Sequence, residues 1–469
     1  MHGHITIISC IVSMKSSKPR KKLSITTTQI ILLSFLGAIL LGSVLLVLPF
    51  STKSGESVPY IDALFTATTA TCVTGLVTLP TVSTWSVFGQ IVILILIQIG
   101  GLGLITISAG IMVAIHHKLG LKDSQLISDA LNIKSLSGLA NFVKKVLVGT
   151  LIVEGVGALL YIIVFIPEFG ARGIWIAIFN SVSAFCNAGI DIVAENSLCN
   201  YATNPLINIT TSLLVILGGL GYIVWWDVIR VLKDCKKTKW RTFSKLTLHS
   251  KIVLISSAIF IVAGGILILI FEYNNPLTLR GYNFFDKLQI AFFQSITTRT
   301  AGFASVPQEN LTNASALLCL LLMFVGGSPV GTAGGIKTTT IVVLFATAFS
   351  TIRGKNEVSL FHRDLSRETT KKAIAVTSMS FVIMAISTIL LAVCTSAPAL
   401  DVMYETVSAT ATVGLTRNLT SSLNLWGKLI ITATMYLGRI GPISLAMSFQ
   451  MKKESINIVK NPTEDVRLG

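Results

Sequence analysis

The sequence predicts an all-α polytopic membrane protein, built of four parallel membrane–pore-loop–membrane repeats around a pseudo-four-fold central pore. Two observations predict this fold: the chain is strongly apolar, and two glycine motifs recur along it in step. Its 469 residues are 52% hydrophobic and 12% charged, with a mean hydropathy of +0.76. Soluble proteins carry about 25% charged residues, so most of this chain must lie in lipid or against other membrane helices.

Apolar runs that could span a bilayer recur throughout the chain. About 20 apolar residues are needed to cross a membrane as a helix. The candidate runs are residues 25–48, 87–115, 146–166, 206–229, 252–271, 314–325, 373–393 and 429–449. We therefore expect at least eight long segments in the membrane.

Charge is distributed unevenly around these runs. The net charge is +16, a balance that would suit nucleic-acid binding in a soluble protein. Here the cations cluster just outside the apolar runs, in residues 15–22, 118–145, 230–251, 353–372 and 452–460, while the opposite loops carry mainly acids. This asymmetry follows the positive-inside rule. It predicts a multi-pass protein of the cell membrane with both termini in the cytoplasm, and it argues against nucleic acid as a partner.

A short polar motif that ends in one glycine and an apolar residue occurs four times. The glycines are Gly75, Gly189, Gly302 and Gly414, at spacings of 114, 113 and 112 residues. We call the surrounding segments glycine loops 1 to 4 and define them as residues 71–76, 185–190, 298–303 and 411–415. Chance rarely produces four such matches at one period, so the period indicates four internal repeats.

A second glycine motif keeps the same period. It lies 24 to 29 residues after each loop glycine, inside the next apolar run, and begins at Gly100, Gly218, Gly326 and Gly438. Each repeat is then expected to hold a spanning helix, a short re-entrant helix, a glycine loop and a second spanning helix. Two spans per repeat restore the starting side, so the repeats are parallel. The predicted divisions are a basic N-terminal tail (1–24), repeat 1 (25–118), repeat 2 (140–235), repeat 3 (247–353), repeat 4 (370–451) and a C-terminal tail (452–469).

Polar loops at membrane depth point to a pore. Non-helical backbone is tolerated there only when it is buried in protein or lines a water-filled cavity. The four glycine loops contain no acidic residue, so ion selection must come from carbonyl and hydroxyl oxygens, which can replace the hydration shell of K⁺. Glycine opens positive φ at no steric cost, and the C-terminal ends of the short helices carry partial negative charge toward the cavity. The sequence therefore predicts a path for a monovalent cation.

The four glycine loops resemble the filter loops of the Ktr/Trk family of potassium transporters, over about residues 25–449. The resemblance implies one filter glycine per repeat. The filter residues that it implies are Val73, Thr74, Gly75, Asn187, Ala188, Gly189, Thr300, Ala301, Gly302, Thr412, Val413 and Gly414. It also implies a membrane homodimer and a ring of cytosolic nucleotide-binding regulatory subunits. K⁺ would be the transported ion, with Na⁺ as a possible coupling or activating ion and no cofactor in this chain.

The second span of repeat 3 differs from the others. Residues 326–340 hold five glycines, a proline and a lysine, which cannot form a continuous helix. The family resemblance implies an intramembrane gating loop there, with Gly326, Gly327, Gly331, Thr332, Ala333, Gly334, Gly335 and Lys337 as gate residues. The alternative is a packing kink. A phosphate-binding loop fits poorly, because Lys337 follows isoleucine and no strand precedes the segment.

Two arginines lie at membrane depth. Arg439 replaces the second glycine of the repeat-4 motif, and a charge inside a span marks function by default. Our hypothesis is that Arg439 opposes K⁺ while the gate is closed; a structural role on loop carbonyls is the alternative. Arg299 precedes Gly302 and would repel K⁺ in the ion path. We expect it to lie behind the loop, against backbone oxygens or a carboxylate, with Asp191, Asp286 and Glu405 as candidates.

Two other classes of function were considered. A secondary transporter for an organic solute is disfavoured by the parallel repeats, and no carboxylate inside a span suggests a proton relay. A membrane enzyme is disfavoured because the sequence holds no metal-ligand spacing and no nucleophile motif. The seven cysteines form no CxxC pair and are expected to be small buried hydrophobic residues.

Overall fold

The computed structural model describes residues 27–103, 106, 109, 139–233, 243–355 and 357–441. The predicted tails, two of the cysteines (Cys10 and Cys235), and the predicted helix continuations to residues 115 and 449 lie outside these residues.

The described chain is almost entirely helical. In chain order the helices are α1 (Thr27–Val47), α2 (Tyr60–Cys72), α3 (Thr81–Thr84), α4 (Val87–Leu102), α5 (Leu139–Phe169), α6 (Arg172–Phe185), α7 (Pro205–Leu220), α8 (Tyr222–Lys233), α9 (Leu248–Glu272), α10 (Phe284–Thr297), α11 (Asn313–Phe324), α12 (Thr338–Ile352), α13 (Arg367–Cys394), α14 (Ala399–Ala411) and α15 (Leu425–Ile440). One small hairpin, β1 (Ser359–Leu360) with β2 (Arg363–Asp364), lies in the basic connection after α12.

The first helix of each repeat is long and faces outward. By length and composition, α1, α5, α9 and α13 can each cross a membrane. Large apolar side chains on them are exposed, among them Leu41, Leu151, Ile270 and Val393. Such exposure would be unfavourable in water and is what contact with lipid tails requires.

The four predicted re-entrant helices are α2, α6, α10 and α14, each of 13 or 14 residues. A proline precedes α2 and another precedes α14, and its lack of a backbone N–H costs no helical hydrogen bond at that place. The Asn283 side chain caps α10 by accepting from the backbone N–H of Asp286. Each helix ends where its glycine loop begins, which confirms the predicted repeat of membrane helix and pore loop.

Three of the second helices break at a glycine instead of running on as the predicted continuous spans. Continuous spans over 87–115, 206–229 and 429–449 were expected, but α4, α7 and α15 end at Leu102, Leu220 and Ile440. The residue after each helix is a glycine with φ of 82° to 85° and ψ of 133° to 142°. In repeat 2 the chain turns by 99° there before α8 begins. Among the described residues, four helices are long and apolar enough to cross a membrane, or five if the bent pair counts as one span; the continuations that would complete the spans of α4 and α15 lie outside the described residues.

The seams between repeats follow one plan. In each, a side chain on a re-entrant helix contacts the preceding repeat in the ring, near the start of its second helix. The four contacts are Trp175 to Gln90 (2.8 Å), Gln289 to the carbonyl of Ala202 (3.1 Å), Tyr404 to Gln308 (3.0 Å) and Asp62 to Lys428 (2.5 Å). The last contact joins repeat 1 to repeat 4, so the four repeats close into a ring in chain order.

Candidate functional site

The four glycine loops share one backbone conformation. In each, a non-glycine residue two positions before the glycine has a left-handed φ, between 51° and 63°: Val73, Asn187, Thr300 and Thr412. The glycine itself also has positive φ, from 65° at Gly189 to 98° at Gly75. Non-glycine residues rarely adopt this region, so its fourfold recurrence reflects a common local structure.

The loop glycines meet at the centre of the molecule. A methyl group added to Gly75 would lie 2.6 Å from the carbonyl oxygen of Ala188, and one on Gly189 would lie 2.6 Å from that of Ala301. Gly302 faces the carbonyl of Val413 in the same way, and Gly414 faces that of Thr74. Each glycine thus abuts the residue before the next glycine, which arranges the loops as a ring in the order 1, 2, 3, 4.

Hydrogen bonding turns the loop N–H groups away from this ring. The N–H of Thr74 donates to the carbonyl of Thr69 in α2 (2.9 Å), and the N–H of Gly75 donates to the Thr69 hydroxyl (3.0 Å). Loop 4 repeats both bonds with Ser408, at 2.8 and 3.0 Å. The carbonyls of Thr74, Ala188, Ala301 and Val413 accept no hydrogen bond from the described residues, so they are available to a ligand.

In repeats 1, 2 and 4 the second glycine motif lies directly behind the loops, whereas Gly326 of repeat 3 abuts the carbonyl of Gly334. A methyl group on Gly100 would overlap the carbonyl of Thr71, and one on Gly438 would overlap that of Thr410. A methyl group on Gly218 would likewise overlap the carbonyl of Phe185. These glycines let the second helices pack against the ends of the re-entrant helices, which accounts for the two motifs keeping one period.

Helix is interrupted between α11 and α12, over residues 325–337; residues 338–340, included in the predicted gating loop, already belong to α12. The interrupted segment docks onto the bend in repeat 2. Its N–H groups at Ser328 and Thr332 donate to the carbonyls of Gly219 (2.8 Å) and Gly218 (3.1 Å), and the N–H of Tyr222 donates to the carbonyl of Val330 (3.0 Å).

Segment 325–337 also touches two glycine loops. The Thr332 hydroxyl lies 3.0 Å from both the carbonyl oxygen of Phe185 and Oδ1 of Asn187 in loop 2. A methyl group on Gly334 would overlap the side chain of Thr412 in loop 4. Lys337 donates to the carbonyl of Ala333, 2.7 Å away within the segment. The segment therefore lies against the back of the loop ring.

Arg439 joins segment 325–337 to repeat 1. Its guanidinium donates to the carbonyl of Thr332 (2.6 Å) and to that of Gly100. Both partners of Arg439 are backbone carbonyls, as expected if its role is structural. A charged hydrogen bond of this kind is roughly twice as strong as a neutral one, so Arg439 holds the segment under the ring.

A cavity of about 690 Å³ opens beneath the segment and touches all four repeats. Its lining includes Gly103, Tyr222, Lys337, Thr410 and Arg439. Thr410 lies immediately before loop 4, so the cavity reaches the inner side of the ring. Residues of segment 325–337 line the cavity as well as contacting loops 2 and 4.

Comparison with known proteins identifies the family. The sequence profile of TrkH, described as a cation transport protein, matches residues 4–461. The chain belongs to the TrkH family of cation transport proteins. The resemblance to the Ktr/Trk family is thereby confirmed, as is the expectation that the chain is not an enzyme.

Individual members of the TrkH family match over their full length. The chain is 37% identical to the potassium/sodium uptake protein NtpJ of Enterococcus hirae over 464 residues, covering 98% of this chain and all of that protein. It is also 37% identical to Ktr system potassium uptake protein B of Bacillus subtilis, covering 98% of this chain and all of that protein. A crystal structure of the potassium transporter TrkH from Vibrio parahaemolyticus has the same fold, with a TM-score of 0.71 over 92% of this chain and 86% of that chain at 16% identity.

Arg299 lies behind loop 3, but its partner differs from those expected. It is 8% exposed and donates to the hydroxyl of Ser257 on α9, 3.1 Å away. Among the described residues it pairs with no carboxylate. Glu405, one candidate partner, instead accepts from the hydroxyls of Thr416 and Thr420 after loop 4, at 2.6 and 2.5 Å. The first helix of the repeat, rather than an outer acid, supports loop 3.

Glu154 is a buried acid to which the sequence analysis gave no weight. It lies at the midpoint of α5, within the apolar run 146–166, and is 5% exposed. The sequence signal was present, because a lone carboxylate inside a span is a functional candidate by default. Its partners, Gln98 and Cys186, lie in other elements and could not be found from spacing.

The remaining cysteines form no disulfide or metal site among the described residues. Cys72, Cys186 and Cys319 are buried as expected, whereas Cys199 and Cys394 are partly exposed. No group of three or more histidine, cysteine or acidic side chains that could hold a metal ion occurs in the described part of the chain.

Proposed function

We propose that this protein takes up K⁺ across the cell membrane by conducting it through the ring of four glycine loops. The names of the full-length relatives, which describe potassium or potassium/sodium uptake, support this proposal. The proposed filter residues are those of the four loops, from Val73–Gly75 to Thr412–Gly414. The four repeats, with the boundaries predicted from sequence, are the proposed units of the pore.

The observation that carries the proposal is the ring itself. Four carbonyls, of Thr74, Ala188, Ala301 and Val413, lie beside the glycine of the preceding loop and accept no hydrogen bond from the described residues. A ring of carbonyl oxygens can replace the water around a K⁺ ion. The C-terminal ends of α2, α6, α10 and α14 lead into the same loops, and each such end carries about half a negative charge. Both features favour a monovalent cation.

We further propose that segment 325–337 is a gating loop and that Arg439 opposes K⁺ while it is closed. The segment and the arginine line the cavity of about 690 Å³ where it reaches the ring. A fixed positive charge at that level raises the energy of a passing cation, and more steeply in a low-dielectric surrounding than in water. Opening would require the bonds from Arg439 and Thr332 to break.

The proposed partners lie on the cytoplasmic side and in the membrane. We propose a homodimer, regulated by a ring of cytosolic nucleotide-binding subunits that bind the basic loops 118–145, 230–251 and 353–372. The name of the Bacillus subtilis relative describes a Ktr system, in keeping with more than one component. Na⁺ is proposed as a coupling or activating ion, in line with the name of the Enterococcus hirae relative. Both termini are placed in the cytoplasm by the positive-inside rule.

The test is K⁺ uptake at limiting external K⁺ by cells that lack their own K⁺ uptake systems. The parent protein, with a regulatory subunit co-expressed, should restore uptake. Gly75→Ser should weaken K⁺ affinity or the preference for K⁺ over Na⁺, because φ at Gly75 is 98° and a Cβ would crowd Ala188. Gly281→Ser is the matched control, since no atom lies within 4 Å of its added methyl position. Rescue that Gly75→Ser leaves unchanged would refute the filter assignment.

A further inference from the structure

Glu154 makes a three-part contact behind glycine loop 2. Its two carboxylate oxygens lie 3.2 and 3.1 Å from Nε2 of Gln98, and Oε1 lies 3.9 Å from Sγ of Cys186. The Cys186 thiol donates to Oε1 of Gln98, 3.2 Å away. Gln98 belongs to repeat 1, whereas Glu154 and Cys186 belong to repeat 2. The cluster therefore ties α4 and α5 to the loop.

Cys186 occupies a sensitive position in loop 2. It follows the last residue of α6 and precedes Asn187, whose left-handed φ of 59° starts the turn toward Ala188 and Gly189. It is fully buried, and a methyl group on Gly101 would lie 2.6 Å from its Sγ. A movement of the Cys186 side chain would therefore also move the backbone that positions the carbonyl of Ala188 in the ring.

The backbone of Glu154 also supports α6. Its carbonyl accepts a hydrogen bond from the Ser181 hydroxyl, 2.6 Å away on α6. In repeat 3 the residue before the left-handed position is Arg299, which bonds to Ser257 on the first helix of that repeat. Repeats 2 and 3 thus share a polar tie between the first helix and the residue that precedes the turn.

We propose that Glu154 and Gln98 are positioning residues that hold Cys186, and through it the carbonyl of Ala188, in the geometry that favours K⁺ over Na⁺. An isolated carboxylate in a membrane interior is costly, and here both of its oxygens contact the Gln98 amide, which in turn accepts from the Cys186 thiol beside the turn of loop 2. This assignment rests on the proposed filter function. It adds to that function a determinant of ion preference that lies outside the four loops.

The experiment measures K⁺ and Na⁺ uptake by the full chain reconstituted in lipid vesicles together with its regulatory subunit, at matched protein amounts. Glu154→Ala and Gln98→Ala should each lower the preference for K⁺ by up to about tenfold, the change that one buried hydrogen bond is worth. The half-saturating K⁺ concentration should rise, while the maximal rate changes less. Glu154→Gln, which keeps the volume and one acceptor oxygen, should recover most of the preference.

Glu168→Gln is the matched control. Glu168 lies on the same helix and accepts a hydrogen bond from the Tyr201 hydroxyl, 2.6 Å away, but near the outer end of α5. Its substitution should leave the preference unchanged. An unchanged preference in Glu154→Ala and Gln98→Ala, with K⁺ uptake by the parent intact, would overturn this assignment alone. If the Glu154→Ala protein fails to accumulate, the preference for K⁺ measured in Gln98→Ala alone tests the assignment. A parent that takes up no K⁺ would overturn the proposed function as well.

Discussion

Asp62 and Lys428 form an ion pair with an Nζ–Oδ1 distance of 2.5 Å, although 366 residues separate them. Their side chains are 7% and 16% exposed. Asp62 lies in the first turn of α2 and Lys428 near the start of α15, so the pair closes the ring of repeats. At the other three seams the corresponding contacts are hydrogen bonds; at the seam of repeats 3 and 4, Arg417 pairs with Asp401 within repeat 4 and also donates to the carbonyl of Gln308 in repeat 3.

Removing one partner of this pair should destabilise the protein. Asp62→Ala leaves the half-buried Lys428 without its counter-charge, which should cost more than the loss of an exposed pair and less than the ~3–5 kcal/mol typical of a fully buried one. The double variant Asp62→Ala/Lys428→Ala should lose less than the sum of the two single losses. The measurement is the free energy of unfolding in detergent micelles.

Lys372→Ala provides the comparison for this pair. It breaks an exposed pair with Glu368, whose side chains are 63% and 74% exposed, and should cost at most about 0.5 kcal/mol. Additive losses in the Asp62 and Lys428 double variant would show that the pair does not hold the seam.

Gly302→Ala should lower the preference for K⁺ over Na⁺ by at least about tenfold. Its φ is 79° and the added methyl group would lie 2.5 Å from the carbonyl oxygen of Val413, so the ring must widen or the loop must refold. The readout is the K⁺ to Na⁺ uptake ratio in vesicles. Gly281→Ala, with open space around its methyl position, should match the parent. Equal ratios in both variants would place ion selection elsewhere.

Arg439→Ala should raise K⁺ flux. The substitution removes a fixed positive charge where the cavity reaches the ring, and two bonds that hold segment 325–337. An increase of roughly tenfold corresponds to a barrier lowered by about 1.4 kcal/mol. Flux would be measured in vesicles beside Arg280→Ala, which alters an exposed arginine between α9 and α10. An unchanged flux in a normally folded Arg439→Ala protein would exclude the barrier.

Thr332→Val should also raise K⁺ flux, by about two- to tenfold. Valine keeps the shape of threonine but loses the hydroxyl that contacts Phe185 and Asn187, and such a bond is worth about 0.5–1.5 kcal/mol. Thr351→Val, which alters an exposed threonine bonded within α12, serves as the control. A Thr332→Val protein that conducts like the control would mean that gating does not depend on this contact.

The fold could be predicted because its main determinant is periodic. Gly75, Gly189, Gly302 and Gly414 stand at nearly equal intervals, and each requires positive φ, so the repeat is visible in the sequence. The break at Gly221 could not be predicted in the same way. Hydropathy measures how apolar a run is and carries no information about its direction, so two helices that meet at 99° resemble one span.

The partners of buried polar groups were the least predictable part. Arg299 was expected to meet a carbonyl or an acid and instead bonds to Ser257. Glu154 meets Gln98 across a seam between repeats. Such pairs depend on how separate helices pack, and a single sequence does not show which side chains meet across a seam.

The closed ring of four linked repeats has a consequence for how such a pore can change. In an assembly of four identical chains, any substitution appears four times around the axis. Here one gene supplies four unequal quarters, so Arg439 can replace a glycine in a single quarter while Gly101 and Gly219 keep theirs. Each repeat can then diverge separately: repeat 3 can carry segment 325–337, repeat 4 the arginine that binds it, and repeats 1 and 2 can keep the unmodified glycine motif.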